Sequence, residues 1–434
     1  MPGLLYTFYG DDFTGSTDVL EQLALGGVCA ALFLRPPTSD DLERLPGLQA
    51  IGVAGDSRSQ TPEWMSAELP LIFTALRGLG APVLHYKVCS TFDSSPWRGS
   101  IGRALEAGLE VFGGRYVPIV VGAPYLRRFV MDGRLFALDA DGVVQRIDRH
   151  TMSRHPATPM REASLVRHLA EQTHVFIGEV PQADDAQQLA AFVETRLNAG
   201  CKAVLFDTVD EQDLAQCGHV IWIEAERQSL FAVGSSGLTA ALISAWHSRG
   251  LVRPPVGGTS FERCTKAAGP LLVISGSCSA VTERQVRWAL ANGFHGIEID
   301  VEKLTEGSEP RCTLLVEGIS RALDQQQDVV AYTALGTPAK AAHGDELGAA
   351  LGVVLKQILE RAGIRRVLVC GGDTSSHAIR QLGLRALMWK ANLQRGVPLC
   401  RAYTDGSLDG LEIALKGGQM GTENFFCVVR DAQG

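Results

Sequence analysis

The sequence predicts an α/β fold with two three-layer α/β domains, each built on a largely parallel sheet. Short apolar runs recur along the chain, and segments with helical periodicity lie between many of them. Strands that are apolar at consecutive positions are buried on both faces, which is typical of parallel sheets covered by helices. The length of 434 residues exceeds what one hydrophobic core usually supports, so we expect two domains.

Eleven apolar runs are the candidate strands. They occupy residues 4–9, 30–34, 50–55, 82–88, 117–123, 174–180, 203–208, 271–276, 329–334, 367–372 and 411–416. Residues 99–112 have the apolar spacing of a helix that packs on such a sheet. A segment rich in proline and glycine, 248–270, lacks periodicity. We therefore predict an N-terminal domain over 1–250, a linker over 251–270 and a C-terminal domain over 271–434.

Composition narrows the function classes. The chain carries 40 basic and 48 acidic residues, so no basic surplus favours nucleic acid as a partner. The N-terminus lacks the basic start of a signal peptide, and no uncharged apolar run is long enough for a bilayer, so we predict a cytoplasmic protein without a membrane partner. The ten cysteines are scattered without zinc spacing, which indicates reduced, mostly buried thiols and no metal site formed by protein ligands.

Two adjacent carboxylates, Asp11 and Asp12, follow the first predicted strand directly. The carboxyl ends of parallel strands are where ligands bind in open α/β sheets. Adjacent carboxylates repel each other unless a cation or a hydroxyl-rich ligand uses them, which favours an active site. The structural alternative is a turn residue followed by a helix cap; Ser16 or Thr17 is a second candidate for that cap.

A second polar loop follows the strand at 82–88. Lys87 ends this strand, and Arg98 lies close to the first turn of the next predicted helix. A cation beside a helix N-terminus is favourable when both face a bound anion. Ser90, Thr91 and Asp93 supply hydroxyl and carboxylate groups between them. A solvated serine-rich loop is the alternative interpretation.

Three loops of small residues follow strands in the C-terminal half, at 275–277, 371–375 and 417–421. Such turns expose backbone N–H groups and are typical of phosphate sites. The Walker A and G-x-G-x-x-G patterns are absent. The helix after 277 has Thr282 as its candidate cap, with Gln285 three positions on. The predicted nucleotide-binding residues are Ser275, Gly276, Ser277, Gly371, Gly372, Asp373, Thr374, Ser375, Gly417 and Gly418.

These motifs together resemble the four-carbon acid sugar kinases, whose N-terminal domain binds a sugar acid and whose C-terminal domain binds a nucleotide. The family's "DDFTG" stands here at 11–15, its "SGS" turn at 275–277, its "GG-acid-TS" loop at 371–375 and its "GVP" at 396–398. The family's "LALKSGNFG" is similar to "IALKGGQMG" at 413–421. The resemblance covers nearly the whole chain and rests on the order of these motifs.

The sequence departs from the family mainly in its N-terminal half. Cys89 replaces an Asp of the family's "K-x-D-S-T-L-R-G", and extra residues separate Thr91 from Arg98. The family's "GRT" loop is "PYLRRF" here, at 124–129, and Asp373 stands where Glu is usual. The departures indicate a substrate other than plain erythronate or threonate. The resemblance implies 3-oxo-tetronate, tetronate or 3-oxo-isoapionate, and the altered loop is more similar to the 3-oxo branch.

The resemblance implies ATP-dependent phosphorylation of a sugar-acid hydroxyl in a cleft between the domains, with Mg²⁺ held mainly by phosphates and water. Asp12 is the expected base, with Asp11 as the alternative. Lys87, Arg98, Arg127 and Arg128 are candidates for the substrate carboxylate, and Asp11, Ser90, Thr91 and Asp93 for its hydroxyls. The expected partner is a small-molecule sugar acid; whether the chain forms a homodimer stays open. The rival hypothesis is a two-domain sugar-acid sensor without catalysis.

Overall fold

The computed structural model describes residues 3–138, 142–154, 158–255, 266–305, 309–335 and 344–432. The strands in these ranges are β1 (Tyr6–Gly10), β2 (Ala30–Phe33), β3 (Ala50–Ala54), β4 (Val83–Lys87), β5 (Val117–Val120), β6 (Arg128–Met131), β7 (Arg134–Leu138), β8 (Val144–Arg146), β9 (Ile177–Val180), β10 (Ala203–Phe206), β11 (Leu230–Gly234), β12 (Leu272–Ser275), β13 (His295–Glu298), β14 (Val329–Tyr332), β15 (Arg366–Cys370), β16 (Ala386–Gln394), β17 (Val397–Tyr403) and β18 (Glu412–Lys416).

Helices alternate with these strands over most of the chain. They are α1 (Phe13–Leu25), α2 (Ser39–Arg44), α3 (Pro62–Arg77), α4 (Ile101–Phe112), α5 (Leu165–Ala170), α6 (Ala186–Asn198), α7 (Glu211–Arg227), α8 (Ser236–Ser248), α9 (Ala280–Ala291), α10 (Val301–Thr305), α11 (Glu309–Asp324), α12 (Gly344–Ala362), α13 (Gly372–Gln381) and α14 (Phe425–Asp431). The α/β prediction is confirmed, and a strand occurs in each of the eleven apolar runs.

The chain divides into two compact units. The N-terminal unit comprises Met1–Ala30 and Arg35–Val256, and the C-terminal unit comprises Ala31–Leu34 and Gly257–Gly434. The predicted linker over 251–270 falls largely on 256–265, which lie outside the described residues.

A parallel sheet of order β3-β1-β4-β11-β5-β10-β9 forms the centre of the N-terminal unit. Its strands are buried, and α3 and α4 contribute Met65, Phe73 and Leu105 to the core on one face. Gly10 of β1 is in register with Ala54 of β3 and Lys87 of β4. The segments after these three strands therefore begin at one edge of the sheet, with β1 between its neighbours.

The C-terminal unit has a sheet of order β13-β14-β12-β15-β18-β17-β16-β2. The strands from β13 to β18 are parallel, whereas β17, β16 and β2 continue the sheet antiparallel. Ser275 pairs with Cys370, and Cys370 pairs with Lys416. The three loops of small residues thus follow adjacent strands and lie at one edge.

The strands that the sequence analysis missed are mostly antiparallel. β6, β7 and β8 form a separate three-stranded sheet, and β16 pairs with β17 through an irregular register. These antiparallel strands keep partly exposed positions, so they lack the continuous apolar run that predicted the parallel strands. Two parallel strands were also missed: β13 is mostly exposed, whereas β11 is buried along its length and its apolar run at 230–233 was overlooked.

The cysteines are less buried than expected. Four of the nine described cysteines are buried and the other five are partly or fully exposed, so the expectation of mostly buried thiols is wrong; none of the nine forms a disulfide.

Within the described ranges, every helix is too short or too polar to cross a bilayer.

Gly108 lets α4 approach β11 closely. A Cβ at this position would lie 2.2 Å from ring atoms of Phe231, which is buried. We expect Gly108→Ala to lower the thermal midpoint by several degrees, because overpacking costs about 1–3 kcal/mol and the higher helix propensity of Ala, about 1 kcal/mol, offsets only part of it. Gly114→Ala is the control, because a Cβ there would meet nothing closer than 4.0 Å. Equal midpoints for the two variants in calorimetry would contradict the expectation.

Candidate active site

Asp12 caps helix α1. Its backbone is extended, and its Oδ1 accepts a hydrogen bond of 2.5 Å from the Gly15 N–H. The prediction that Ser16 or Thr17 caps this helix is wrong: the Ser16 hydroxyl donates instead to the Asp12 carbonyl at 2.6 Å. The Asp12 carboxylate binds the free N–H of Gly15, three positions on. Helix α1 therefore begins at Phe13, earlier than a cap at Ser16 or Thr17 would place it. The cap interpretation therefore holds for one of the two adjacent carboxylates.

Arg58 joins two acidic residues that lie far apart in sequence. It sits in the short turn Ser57–Ser59 after β3, where its Nη1 donates to Asp12 Oδ2 at 2.8 Å and its Nη2 donates to Asp93 Oδ2. Burial alone would raise the pKa of Asp93, but Arg58 and the hydroxyls of Thr91 and Thr158 outweigh it and hold that pKa below its usual value. Sequence analysis missed Arg58; the signal was its position in the polar loop after a predicted strand at 50–55.

Asp11 is the buried member of the pair. Asp11 is only 4% exposed, and its Oδ1 has no hydrogen-bond partner among the described residues. Burial, reinforced by Asp12, raises the pKa of Asp11 to about 8, against the opposing charges of Arg58 and Lys87. Near neutral pH this carboxyl is therefore largely protonated and can donate a hydrogen bond.

Lys87 lies against the start of α1. It is 2% exposed, and its Nζ is 3.9 Å from Asp18 Oδ2. A Cβ at Gly15 would lie 3.1 Å from this Nζ and 2.5 Å from Asp12 Oδ1. Glycine at position 15 thus allows the ammonium and the capping carboxylate to approach the same turn.

The loop after β4 is anchored from inside. The Thr91 hydroxyl lies 2.5 Å from Asp93 Oδ1 and 3.0 Å from Cys89 Sγ, and Phe92 adopts a positive φ of 57°. Ser94 and His168 share a buried hydrogen bond of 2.8 Å, and burial lowers the pKa of His168 to about 4. This neutral pair supports the loop behind Asp93.

The predicted cations and hydroxyls differ in where they lie. Ser90 is half-buried, whereas Arg98 is exposed and its Nε donates to the Ser59 carbonyl at 2.8 Å. Arg127 is also exposed. Arg128 is half-buried, and its Nε is buried without a hydrogen-bond partner in the described part of the chain.

Arg128 lies near the same loop as Arg58. Burial lowers the pKa of Arg128, and the nearby Cys89 thiol opposes that change. Cys89 also interacts electrostatically with Arg58. Of the four predicted cations, Lys87 therefore lies beside the acidic groups and Arg128 lies near Cys89, whereas Arg98 and Arg127 are exposed.

In the C-terminal unit, several residues of the predicted nucleotide-binding loops form hydrogen bonds within the fold. The N–H groups of Gly276 and Gly371 continue the sheet by donating to Cys370 and Lys416 carbonyls at 3.1 and 2.8 Å. The Ser375 hydroxyl is buried and donates to the Val369 carbonyl at 3.4 Å. Helix α13 begins at Gly372. The side chains of Asp373 and Thr374 lie outside the described residues.

The loop at 417–421 packs against the start of α9. Ser279, not Thr282, caps this helix, so the predicted cap is wrong. The Thr282 hydroxyl donates to the Gly418 carbonyl at 2.9 Å, and Gln285 Nε2 donates to the Met420 carbonyl at 3.0 Å. Both residues therefore lie inside the helix, and their side chains bind the neighbouring loop. Lys416, which sequence analysis treated only as a strand residue, is fully buried beneath these contacts.

Comparison with known proteins gives two family matches. Residues 6–242 match the sugar-binding N-terminal domain, and residues 272–426 match the nucleotide-binding C-terminal domain. The chain is 41% identical to the 3-oxo-isoapionate kinase of Paraburkholderia graminis, over 99% of this chain and 95% of the relative. It is 30% identical to the 3-oxo-tetronate kinase of Pectobacterium atrosepticum, over 96% of each chain.

Solved structures share the fold. A Salmonella typhimurium LT2 protein described as a tRNA synthase aligns over 99% of this chain and 98% of its own, with a TM-score of 0.80. Because that pair is 24% identical, the likeness concerns the fold alone.

Asp11 gives a testable dependence of stability on pH. Its pKa of about 8 in the folded state exceeds the ordinary value of 3.8. Between these two pH values the folded state binds more protons than the unfolded state, so the protein loses stability as the pH rises from about 4 to about 8. Asp11→Asn removes this loss. We expect the variant to have the higher thermal midpoint at pH 8 and a flatter dependence from pH 5 to 8, at roughly 2–4 °C per kcal/mol.

The control is Asp40→Asn, because the Asp40 side chain is 54% exposed. Its midpoint should follow the wild-type curve. An Asp11→Asn curve parallel to the wild type would mean that Asp11 is ionised in the folded protein.

Proposed function

This chain belongs to the four-carbon acid sugar kinase family and is a sugar-acid kinase, and from that premise we propose that it uses ATP to phosphorylate a hydroxyl of a small 3-oxo sugar acid. The observation that carries the proposal is the group of charges at one edge of the N-terminal sheet. There Asp12 and Asp93 are tied to Arg58, while Asp11 Oδ1 and Arg128 Nε are buried without partners among the described residues. A ligand with a carboxylate and several oxygens satisfies both kinds of atom.

We assign the substrate carboxylate to Arg128. Its guanidinium has no acidic partner among the described ion pairs, and its neighbour Cys89 is a thiol where the family commonly has Asp. A planar guanidinium with a free donor suits a carboxylate, and partial burial strengthens the interaction. Lys87 adds positive charge from the neighbouring strand end.

We assign the base to Asp12. Its side chain is 25% exposed and already carries the Arg58 interaction, whereas Asp11 is almost fully buried. Phosphoryl transfer depends mainly on positioning and charge stabilisation, so an oriented carboxylate that receives the hydroxyl proton is sufficient. Asp11, as a largely neutral acid, is suited to donate a hydrogen bond to a substrate carbonyl such as a 3-oxo group.

The C-terminal unit is assigned to ATP. Its loops at 275–279 and 417–421 lie side by side: a Cβ at Gly418 would be 2.9 Å from Ser277 Oγ and 3.2 Å from Ser279 Oγ. Side chains are thus excluded where a phosphate would need backbone donors. Mg²⁺ that accompanies the nucleotide would be held mainly by its phosphates and by water.

The higher identity to a 3-oxo-isoapionate kinase than to a 3-oxo-tetronate kinase supports a branched 3-oxo acid as the preferred acceptor. The altered loops at 89 and 124–129 lie in the unit assigned to this acceptor. ATP turnover measured over a panel of branched and linear 3-oxo and 3-hydroxy acids tests the choice. Turnover with none of them would instead favour the sensor hypothesis, which no observation in the structure supports.

Asp12→Asn tests the base. The amide oxygen can still accept the Gly15 N–H, but it cannot take a proton. We expect kcat to fall about 10²–10⁴-fold with ADP affinity unchanged. Asp185→Asn is the matched control, because Asp185 caps α6 in the same way, accepting from the Gln188 N–H at 2.8 Å. Wild-type turnover in Asp12→Asn, measured by coupled ADP release, would transfer the base role to another group.

Arg128→Gln tests the carboxylate site. A lost hydrogen bond to a charged group typically costs about 1.5–3 kcal/mol, which corresponds to a rise in KM for the sugar acid of about 10- to 100-fold. Arg127→Gln is the neighbouring control, because Arg127 is exposed. If Arg127→Gln raised KM and Arg128→Gln did not, the assignment would be reversed.

A further inference from the structure

Lys416 is a buried lysine at the end of β18. The residue is 0% exposed. Its Nζ donates to Thr282 Oγ1 at 3.0 Å and to the carbonyls of Gly417 and Met420 at 3.1 Å each. The Gly418 carbonyl is a fourth, longer partner at 3.5 Å, so all three donors of the ammonium are satisfied.

The charge of Lys416 has no acidic counterpart among the described ion pairs. Its acceptors are a hydroxyl and three carbonyls, and burial lowers its pKa, with only the Cys370 thiol acting in the opposite direction. A buried charge is costly unless it is paired. The loop carbonyls need a hydrogen-bond donor at this position, but a neutral donor would serve them without the cost of a buried charge. A ligand of opposite charge would give it a use.

The same contacts orient the loop at 417–421. The Gly417, Gly418 and Met420 carbonyls all accept hydrogen bonds from the buried side, from Lys416, Ser279, Thr282 or Gln285. In a trans peptide the following N–H points opposite to the carbonyl. The N–H groups of residues 418, 419 and 421 therefore point outward, and none of the three donates a hydrogen bond within the described part of the chain.

Outward N–H groups on one turn form an anion-binding concavity. The start of α9 adds to it, because its cap Ser279 is bonded to the Gly418 carbonyl and its first N–H groups lie beside the loop. A helix N-terminus carries partial positive charge. The loop, the helix start and the ammonium thus place positive potential on one surface without an exposed basic side chain.

We propose that Lys416 is a positioning residue for the nucleotide phosphates: it fixes the 417–421 loop with its amides outward and supplies the positive charge behind them. The inference rests on the proposed function and deepens it. Lys416 does not contact the phosphate itself, since its three donors are used. It acts through the loop amides and through its charge.

Lys416→Met tests the charge, because methionine keeps the length and fits a buried site. Titration calorimetry on the full chain should compare adenosine, ADP and ATP. We expect adenosine affinity to stay within about twofold of wild type, and ADP and ATP affinities to fall about 10- to 100-fold. Lys390→Met is the matched control: it removes a partly buried ammonium of the same unit that is paired with Glu412 and lies outside this loop, so the wild-type preference for ADP over adenosine should be retained.

Equal losses of affinity for adenosine, ADP and ATP in Lys416→Met would show that Lys416 only stabilises the loop, and they would overturn the proposal. Unchanged affinities for all three would overturn it as well. Hydrogen exchange on the wild-type chain keeps the test valid if the variant does not fold. ADP should protect the 417–421 amides and adenosine should not. Absence of that protection also overturns the proposal. ADP binding with no phosphorylation of any sugar acid would instead contradict the proposed function alone.

Discussion

One guanidinium holds the acidic edge of the N-terminal sheet together. Asp11, Asp12 and Asp93 come from two loops, and three close carboxylates would repel one another. Arg58 binds Asp12 and Asp93 at once and places a positive charge between them near the buried end of β1. The remaining member, Asp11, is left without such a partner, and it responds by holding its proton. The edge therefore presents a paired carboxylate beside a neutral acid, one group that accepts and one that can donate.

In the C-terminal unit one buried charge is positive and has no acidic partner among the described ion pairs. This unit buries a lone cation, Lys416, and surrounds it with carbonyls rather than acids. Both units thus carry groups whose requirements the described protein atoms do not fully meet: Asp11 Oδ1 and Arg128 Nε in one, an uncompensated ammonium in the other. Buried polar groups are normally satisfied in proteins, so such exceptions point to ligands. Their chemistry matches a sugar acid and a phosphate respectively.

Local patterns predicted all the parallel strands except β11 and β13, and they predicted the loops where ligands are expected to bind. A buried strand has a continuous apolar run, and its end is marked by polar or small residues. The missed features depend on contacts between distant segments. Arg58 reaches Asp12 across 46 positions, and Lys416 reaches Thr282 across 134. The first residue of a helix is also hard to place from sequence: Ser279 caps α9, so Thr282 lies in its first turn, where its hydroxyl donates to the Gly418 carbonyl. The surface position of Arg98 is likewise set by the Ser59 carbonyl, which no local pattern reveals.

The position of Asp11 shows why such a site must be stabilised elsewhere in the fold. A carboxyl with a pKa of about 8 opposes folding at any pH above its ordinary value, since the unfolded chain would release the proton. The surrounding core offsets this cost: β1 is buried along its whole length and pairs with a strand on each side. A permanently neutral amide could donate a hydrogen bond here without this cost. Giving up a proton to a substrate oxygen is the property that separates Asp from Asn, and under the proposed function the adjacent Asp12, fixed by Arg58 and by the Gly15 N–H, acts on the neighbouring hydroxyl.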